Sequence, residues 1–476
     1  MTSFSTLLSS LIEQKNIQIA PLTQYCGLDR STMYKYLNGK RCPPKLEQLE
    51  RIADYMRLSP TEHEELVTAW KIVQMGEENY YIRRNVEDFI LNFPDVSKID
   101  QFVLSSFKTE SAQIGESGCQ ALDSQAAVNH AVSRIILSEA EKDNGQLALL
   151  LQPDNDYLFH FLTGLGESEC TLKIEHILCL NNSIQLDKSN RSLNLLYLQA
   201  LLPLYIRAMN YKVYYYYDNV ESHFSSFNGL SCMILTSEAA VACTSDYSSG
   251  ILYFQPETVR LLWELFRDYK EKCSLLFQPV SSVTDELDLL QTLGQNPEIN
   301  YVIQPEPCLI PFITPDLVEN YVYPDLPDRD ALIQMLNAYV ASQKREVLSS
   351  RFLLYHTLEG IRSFLTTGKI TEIPEGLCPP FSSEDRKLLV SRMLENPANN
   401  YLLLRGPLQY LPHNFHLFVS PSGGYLLFTN RLNKTVYLPF EEPGLLAAFL
   451  DYLNHLDVNY RYSHEQMQRL IRELDA

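Results

Sequence analysis

Along the first 75 residues, apolar side chains return at the three- and four-residue spacing of an α-helix. Phe4, Leu8 and Leu11 begin this pattern, which predicts five short helices. Gly27 lies between the second and the third, where a glycine can take the left-handed conformation that ends a helix. Asp29 follows it as a candidate N-cap. The segment is therefore predicted to be helical, with one tight turn.

The third predicted helix, Arg30 to Leu37, has an apolar and a polar face. Met33, Tyr36 and Leu37 share the apolar face. The candidate DNA contacts are the polar and basic side chains of the other face, of the helix start and of the turn that follows: Arg30, Ser31, Thr32, Tyr34, Lys35, Asn38, Lys40 and Arg41. Four of them are basic, and the stretch contains no acid. A helix-turn-helix unit with this surface suits the major groove of DNA, with lysine and arginine neutralising phosphates.

The N-terminal segment resembles the XRE-type, phage-repressor-like helix-turn-helix family over residues 4–75. The resemblance rests on an array of residues: Leu22, Gly27, Leu28, Ser31, Thr32, Met33, Gly39, Lys40, Arg41 and Pro43. It implies binding to a double-stranded DNA operator, usually as a homodimer. Ile19, Thr23 and Leu37 depart from the family pattern, which has a polar residue, an alanine and an acid there. The alternative interpretation is a helical bundle for protein contacts.

A longer helical pattern follows, from Trp70 to Ile90, and ends before Pro94. We interpret it as a linker helix that also pairs subunits. The polar stretch 106–124 then predicts a boundary loop. These features predict a helix-turn-helix domain at 1–75 and a linker at 76–118.

Beyond the linker, strand patterns alternate with helix patterns, which predicts a mixed α/β sheet covered on both faces. The predicted strands are 146–152, 171–180, 212–217, 231–236, 239–244, 251–254, 415–419, 425–428 and 435–438. The predicted helices are 126–142, 157–164 and 193–209, with two more around Phe266 and Phe449. The predicted fold class is therefore multidomain: an all-α helix-turn-helix domain, then a larger α/β domain with a duplicated mixed sheet.

The duplication is visible as an internal repeat. Phe266–Tyr269 (FRDY) returns 183 residues later as Phe449–Tyr452 (FLDY), together with the hairpin before it. Leu150–Pro153 (LLQP) and Val302–Pro305 (VIQP) are also alike, at a different offset. Because that offset differs, the match weakens upstream of the hairpin. Two related halves of one domain explain the 183-residue repeat, and chance agreement of two amphipathic units is the alternative.

We therefore predict a sensor domain with halves at 119–294 and 295–476, in which the helices between Asp328 and Gly368 are an insertion. This arrangement resembles the phospholipase-D-like fold. In the enzymes of that superfamily each half offers His-x-Lys, whose imidazole attacks phosphorus. None of the ten histidines of this sequence has a lysine two positions later. The resemblance thus implies a sensor that has the fold without the catalytic motif.

Composition and charge restrict the partners. The 476 residues are 45% hydrophobic and 20% charged, as in a globular protein. The net charge is −19, but residues 1–60 hold eight basic and five acidic residues, so that segment is +3 and the remainder −22. The remainder therefore repels polyanions. Ten cysteines without a Cys-x-x-Cys pair, no signal-peptide pattern and no long apolar run predict a reduced cytoplasmic protein that does not enter membranes.

Motifs of enzymes are absent from the sequence: there is no Gly-x-Ser-x-Gly elbow, no Walker loop and no dinucleotide fingerprint. His413 and His416 have the spacing of metal ligands but no nearby cysteine. The four tyrosines at 214–217 fit a strand better than an aromatic pocket. We therefore predict no catalytic residue, no metal and no cofactor.

The function predicted from these features is a sequence-specific DNA-binding transcriptional regulator with a C-terminal domain that senses a small-molecule or protein effector. The alternative is a phosphodiesterase-like enzyme with an accessory DNA-binding domain, and the missing motifs favour the regulator. A variant with a helical-repeat peptide receptor is disfavoured by the strand patterns 147–152 (LALLLQ), 212–217 and 424–428 (GYLLF).

Overall fold

The computed structural model of the chain describes residues 2–94, 118–166, 171–181, 186, 189–223, 229–280, 298–349, 351–373 and 376–474. Contacts within the chain divide it into two units. The first is Met1–Asn85 with Leu186–Arg191, and the second is Val86–Gln185 with Ser192–Ala476. The first unit contains the predicted DNA-contacting helix, and the second contains the sheets.

The five helices predicted for the N-terminal segment are present. They are α1 (Ser3–Gln14), α2 (Ile19–Cys26), α3 (Arg30–Leu37), α4 (Leu46–Met56) and α5 (Pro60–Met75). Each turns its apolar stripe towards one shared core, because burial removes that stripe from water. Completely buried side chains from all five helices meet there: Phe4, Leu8, Leu22, Met33, Leu49, Ile52 and Leu66.

The helix predicted to run unbroken from Trp70 to Ile90 is interrupted at Gly76. α5 ends at Met75, and α6 spans Glu77–Leu91. Gly76 has φ +87° and ψ 146°, a conformation that costs little for a residue without Cβ. The prediction of one helix is wrong because apolar spacing continues on both sides of the glycine and does not reveal the break.

The second half of α6 lies in the core of the second unit. Val86 is completely buried and Phe89 is nearly so. The ring of Phe89 lies 5.6 Å from that of Phe449, and the ring of Phe93 lies 5.1 Å from that of Phe415. These apolar side chains are covered by their own chain, so they are not available to pair subunits as the sequence suggested.

The second unit is built from strands and helices throughout its described residues. The strands are β1 (Cys119–Leu122), β2 (Gln146–Leu150), β3 (Lys173–Leu180), β4 (Asn210–Tyr217), β5 (Cys232–Leu235), β6 (Ala240–Cys243), β7 (Gly250–Tyr253), β8 (Ser274–Phe277), β9 (Asn300–Ile303), β10 (Phe352–His356), β11 (Tyr401–Leu403), β12 (His416–Ser420), β13 (Gly423–Thr429) and β14 (Thr435–Phe440). The helices are α7 (Gln125–Ala140), α8 (Asp156–Leu165), α9 (Leu193–Ile206), α10 (Val220–His223), α11 (Pro256–Lys270), α12 (Pro315–Tyr321), α13 (Arg329–Val347), α14 (Leu358–Thr367), α15 (Ser383–Leu394), α16 (Pro443–Asn454) and α17 (His464–Leu474).

The strands form two mixed sheets with a common topology. The first sheet has the order β1-β7-β6-β5-β2-β3-β4-β8, and the second has the order β11-β10-β9-β12-β13-β14. In each sheet three parallel strands, β2 to β4 or β9 to β11, are followed by an antiparallel meander, β5 to β7 or β12 to β14. The first strand of each meander pairs antiparallel with the first of the three parallel strands: β5 pairs with β2, and β12 pairs with β9. The predicted multidomain class, with an all-α segment and mixed α/β sheets, is confirmed.

Two central strands, β9 and β10, and several short edge strands are absent from the strands predicted by the sequence pattern. β10 lies inside the predicted insertion between Asp328 and Gly368, yet it pairs with both β9 and β11. That part of the prediction is wrong, because a five-residue apolar run cannot be told from a helical segment by its period.

The edge strand β1 lies in the stretch 106–124 predicted as a loop, of which residues 106–117 are outside the described part. Edge strands of three or four residues, such as β8 and β11, are defined by their pairing rather than by their own pattern.

One face of the first sheet is covered by α11. Phe266 is completely buried against Ala148 and Ile177. Tyr269, three residues later on α11, is 43% exposed, so the covered face does not extend to it.

Candidate nucleic-acid interface

The turn between α2 and α3 sets the direction of α3. Gly27 ends α2 in the left-handed conformation, with φ +67° and ψ 33°. The N–H of Leu28 then donates to the carbonyl oxygen of Thr23 at 2.9 Å, which closes the helix end. A Cβ at Gly27 would meet no atom within 4 Å, so the backbone conformation, and not the space, favours glycine.

Asp29 caps α3 and orders its first turn. Its Oδ1 accepts the N–H of Thr32 at 2.8 Å, and its Oδ2 accepts the Thr32 hydroxyl at 2.7 Å. These hydrogen bonds, that of the Thr32 hydroxyl first, lower the pKa of Asp29 to about 2. Thr32 was predicted to contact DNA, but its hydroxyl proton is already donated to the cap. Its oxygen keeps lone pairs with which it can accept a hydrogen bond.

Two buried side chains fix the rotation of α3 about its axis. Met33 is completely buried, and Tyr36 is 3% exposed. The Tyr36 hydroxyl donates to Oε1 of Gln48 on α4 at 3.1 Å. Since residues three apart share one face of a helix, this anchoring turns the other face of α3 away from the core.

That other face is exposed. Six of the eight predicted contacts are exposed: Arg30, Ser31, Tyr34, Asn38, Lys40 and Arg41. Thr32 and Lys35 are half-buried. The structure thus brings hydroxyl, amide and cationic groups together on one helix surface and the turn after it. These are the groups that bind base edges in the major groove.

The basic turn after α3 is held at both of its ends. The N–H groups of Lys40 and Arg41 donate to the carbonyl oxygen of Lys35 at 2.9 and 3.2 Å. Further on, the carbonyl oxygen of Pro43 accepts Nε1 of Trp70 at 2.7 Å, and it also accepts a side-chain N–H of Gln74 at 2.8 Å. α5 therefore braces the backbone of the turn, and the side chains of Lys40 and Arg41 are exposed. Exposed cations at a helix end suit phosphate contacts.

The start of α2 differs from the family pattern in a specific way. Ile19, where the family has a polar residue, packs against the core of the unit. The preceding residue, Gln18, is exposed, and its side chain makes no capping hydrogen bond. Gln18 is therefore an exposed polar side chain one position before Ile19. It is not among the eight predicted contacts.

Candidate chemistry elsewhere is weaker. His416 is buried, with Nδ1 3.7 Å from Oε1 of Glu372, and burial lowers its pKa to about 3. Among the described residues, no group of three histidine, cysteine, aspartate or glutamate side chains could hold a metal ion. The four tyrosines at 214–217 lie on β4, as a strand requires. In the described ranges, no helix has the length and hydropathy needed to cross a membrane.

Comparison with known families agrees with this geometry. Residues 8–68 match the family model of the Cro/C1-type helix-turn-helix DNA-binding domain. The match includes α2, the Gly27 turn and α3. This part of the chain is therefore a Cro/C1-type, or XRE-type, helix-turn-helix domain, as the sequence resemblance predicted. No curated protein matches the chain.

Solved structures with some similarity include three proteins of different kinds. One is TrmBL2, an archaeal chromatin protein with a novel mode of DNA binding, at 13% identity over 46% of this chain and 72% of that chain, with a TM-score of 0.23. Another is phosphatidylserine synthase of Haemophilus influenzae, at 12% identity over 83% of this chain and 96% of that chain, with a TM-score of 0.22. The third is polyphosphate kinase of Porphyromonas gingivalis, at 11% identity over 75% of this chain and 55% of that chain, with a TM-score of 0.21. At these TM-scores the similarities carry no argument about the second unit.

Proposed function

We propose that the protein is a cytoplasmic, sequence-specific DNA-binding transcriptional regulator. The observation that carries the proposal is the exposed face of α3, on which Ser31 and Asn38 lie opposite the buried Met33. α3 enters the major groove, where its polar side chains bind base edges. Lys40 and Arg41 contact the phosphates that flank those bases.

The regulator binds DNA as a homodimer. Its basic segment has a net charge of only +3, and the rest of the chain, at −22, repels polyanions. One domain alone therefore binds weakly. Two domains on one duplex raise the effective concentration of the second and so the affinity of the pair.

The second unit senses an effector. In this proposal the sensor halves are 119–294 and 295–476, and residues 76–118 link them to the DNA-binding domain at 1–75. The common topology of the two sheets supports a duplicated domain. The missing His-x-Lys motif supports sensing over phosphodiester hydrolysis. An effector acts by binding more tightly to one arrangement of the DNA-binding domains than to the other.

The proposal is tested by selecting DNA fragments that the purified full chain retains from a genomic library. We expect a recurring sequence with two-fold symmetric half-sites. The double variant Ser31→Ala, Lys35→Ala should lose or change that sequence. Lys272→Gln, which changes one exposed lysine of the second unit, serves as the charge control and should select the same sequence.

Retention of fragments without a common sequence, or an unchanged sequence with the double variant, would contradict the proposal. Circular dichroism of the double variant shows whether the helices are intact. Both substituted side chains point away from the core, and alanine favours helices, so we expect native helix content.

A further inference from the structure

A groove opens at the first residues of β2, β3 and β4, beside α11. Its volume is about 680 Å³, within the range of small-molecule sites. The first residues of β2, β3 and β4 form its floor. Trp263 of α11, together with Gln278 and Pro279, which follow β8, completes the lining.

Strand register brings two lysines together on this floor. On the parallel strands β3 and β4, Lys173 lies beside Asn210 and Glu175 lies beside Lys212. Alternate residues of a strand point to the same face, so all four side chains belong to the surface that lines the groove. Lys173 and Lys212 are therefore diagonal neighbours.

The charges in and beside the groove are not balanced. Lys270 of α11 contacts both carboxylate oxygens of Glu175 at 2.9 Å. In the part of the chain that the structure describes, the ammonium groups of Lys173 and Lys212 have neither an ion-pair partner nor a hydrogen-bond acceptor. Three lysines and one glutamate leave a net charge of +2. The surrounding sequence, residues 61–476, has a net charge of −22.

The wall of the groove is preformed. Nε1 of Trp263 donates to the carbonyl oxygen of Thr236 at 2.9 Å, and the ring packs at 5.9 Å against that of Phe266. The indole is therefore held in place in the same lining as Lys173 and Lys212, and the guanidinium of Arg267 lies over its ring, 5.8 Å from the centroid. A fixed flat ring and two cations in one groove match a ligand with a flat apolar part and a doubly charged group.

We propose that this groove binds a small dianion of the phosphate monoester class, whose phosphate lies between Lys173 and Lys212 and whose apolar part lies against Trp263. A phosphate monoester carries close to two negative charges near neutral pH, and lysine binds phosphate as a point charge. The role of the site as an effector site rests on the proposed sensing function, but binding itself does not depend on it.

The test is calorimetric titration of the full chain with phenyl phosphate. We expect saturable binding that inorganic phosphate competes with and that salt weakens. The variant Lys173→Gln, Lys212→Gln should bind about a hundredfold more weakly or not at all, since each of the two charge-assisted contacts is worth about a factor of ten. Lys272→Gln, an exposed lysine outside the groove, is the matched control and should bind as the natural protein does.

Fluorescence provides a second measurement. The chain has two tryptophans, and Trp70 lies in the first unit. Phenyl phosphate should change the emission of the natural protein, and Trp263→Phe should abolish that change. This readout locates the ligand even if the double lysine variant proves unstable.

Three results overturn the proposal: no saturable binding up to about 10 mM, equal binding by the double lysine variant, or binding of succinate in preference to phenyl phosphate. The operator affinity of the same preparations keeps the two proposals separate. If the natural protein binds its operator but not phenyl phosphate, only the proposal of a ligand site in the groove is rejected. If it binds phenyl phosphate but no operator, only the proposed regulator function is rejected.

Discussion

The hydroxyl group of Tyr217 donates a hydrogen bond of 2.8 Å to Oε1 of Glu442. Tyr217 ends β4 of the first sheet, and Glu442 is the N-cap of α16, which follows the second sheet. Glu442 is 1% exposed, and its two carboxylate oxygens also accept the N–H groups of Gly444 at 2.9 Å and Leu445 at 2.7 Å. One buried carboxylate thus joins the two sheets and begins a helix.

We expect Tyr217→Phe to destabilise the second unit by about 1–2 kcal/mol, because the carboxylate loses one donor but keeps two. Glu442→Ala should cost more, about 2–4 kcal/mol, since it leaves two N–H groups of the helix start, one half-buried and one buried, without an acceptor. The measurement is the midpoint of urea unfolding, followed by circular dichroism. Glu441→Ala, at the exposed neighbouring position, is the control and should stay within about 0.5 kcal/mol of the natural protein. Equal effects of Glu441→Ala and Glu442→Ala would show that the joint does not stabilise the unit.

We expect a buried acid close to His416 of β12 to make stability depend on pH. The side chain of Glu372 is 11% exposed, and the thiol of Cys308 donates to its Oε2 at 3.6 Å. Burial raises the pKa of Glu372 to about 7 and lowers that of His416 to about 3. Glu306, nearby, adds negative charge, and its own pKa is raised by burial. Near pH 6, Glu372 and His416 therefore form a neutral pair.

Since the pKa of Glu372 is higher in the folded than in the unfolded chain, folding binds a proton, and the associated stability is lost as the pH rises through 7. We expect the second unit to lose on the order of 3 kcal/mol between about pH 5 and pH 9 through this group. Glu372→Gln should flatten that decline, as measured by the thermal midpoint across this range. Glu359→Gln, at a half-exposed site paired with Arg362, should leave the decline unchanged. A decline equally steep in Glu372→Gln would rule out this carboxyl as its source.

The exposed face of α3 should separate two kinds of DNA contact. Ser31→Ala should change the preferred sequence, because a hydroxyl at a base edge is lost. Lys40→Ala should weaken binding to every sequence alike and reduce the slope of log affinity against log salt by about one. Footprinting and titration at several salt concentrations measure the two effects. Footprints of both variants identical to that of the natural protein would mean that α3 does not lie in the groove.

How far the sequence predicts this structure depends on where each element gets its stability. α1 to α5 follow from the sequence because each has an apolar stripe, and because Asp29 is recognisable as an N-cap of α3. β10 could not be recognised in the same way, because its apolar run becomes a strand only through β9 and β11 on its two sides. The helix break at Gly76 could not be predicted either, because glycine permits a positive φ but does not require it.

In the candidate sites, too, some features could be predicted from the sequence and others depend on the folded structure. The polar face of α3 is a matter of helical period, so its exposed residues could be named in advance. The donation of the Thr32 hydroxyl to Asp29 could not be foreseen, since Ser31 and Thr32 are equally able to serve either the cap or the DNA. The lysine groove depends on the register of β3 and β4, and Lys173 and Lys212 are 39 residues apart in the sequence.

Assembly is the remaining prediction. A single basic domain of net charge +3 attached to an acidic chain should bind one half-site weakly, whereas two domains on one duplex gain from effective concentration. We therefore expect light scattering at micromolar protein to give the mass of a homodimer, and half-sites one helical turn, ~34 Å, apart. Inserting five base pairs between the half-sites turns one by about half a helical turn and should reduce affinity sharply, whereas inserting ten should restore part of it. A monomeric mass together with full affinity for an isolated half-site would refute the homodimer, because the charge of one domain would then suffice.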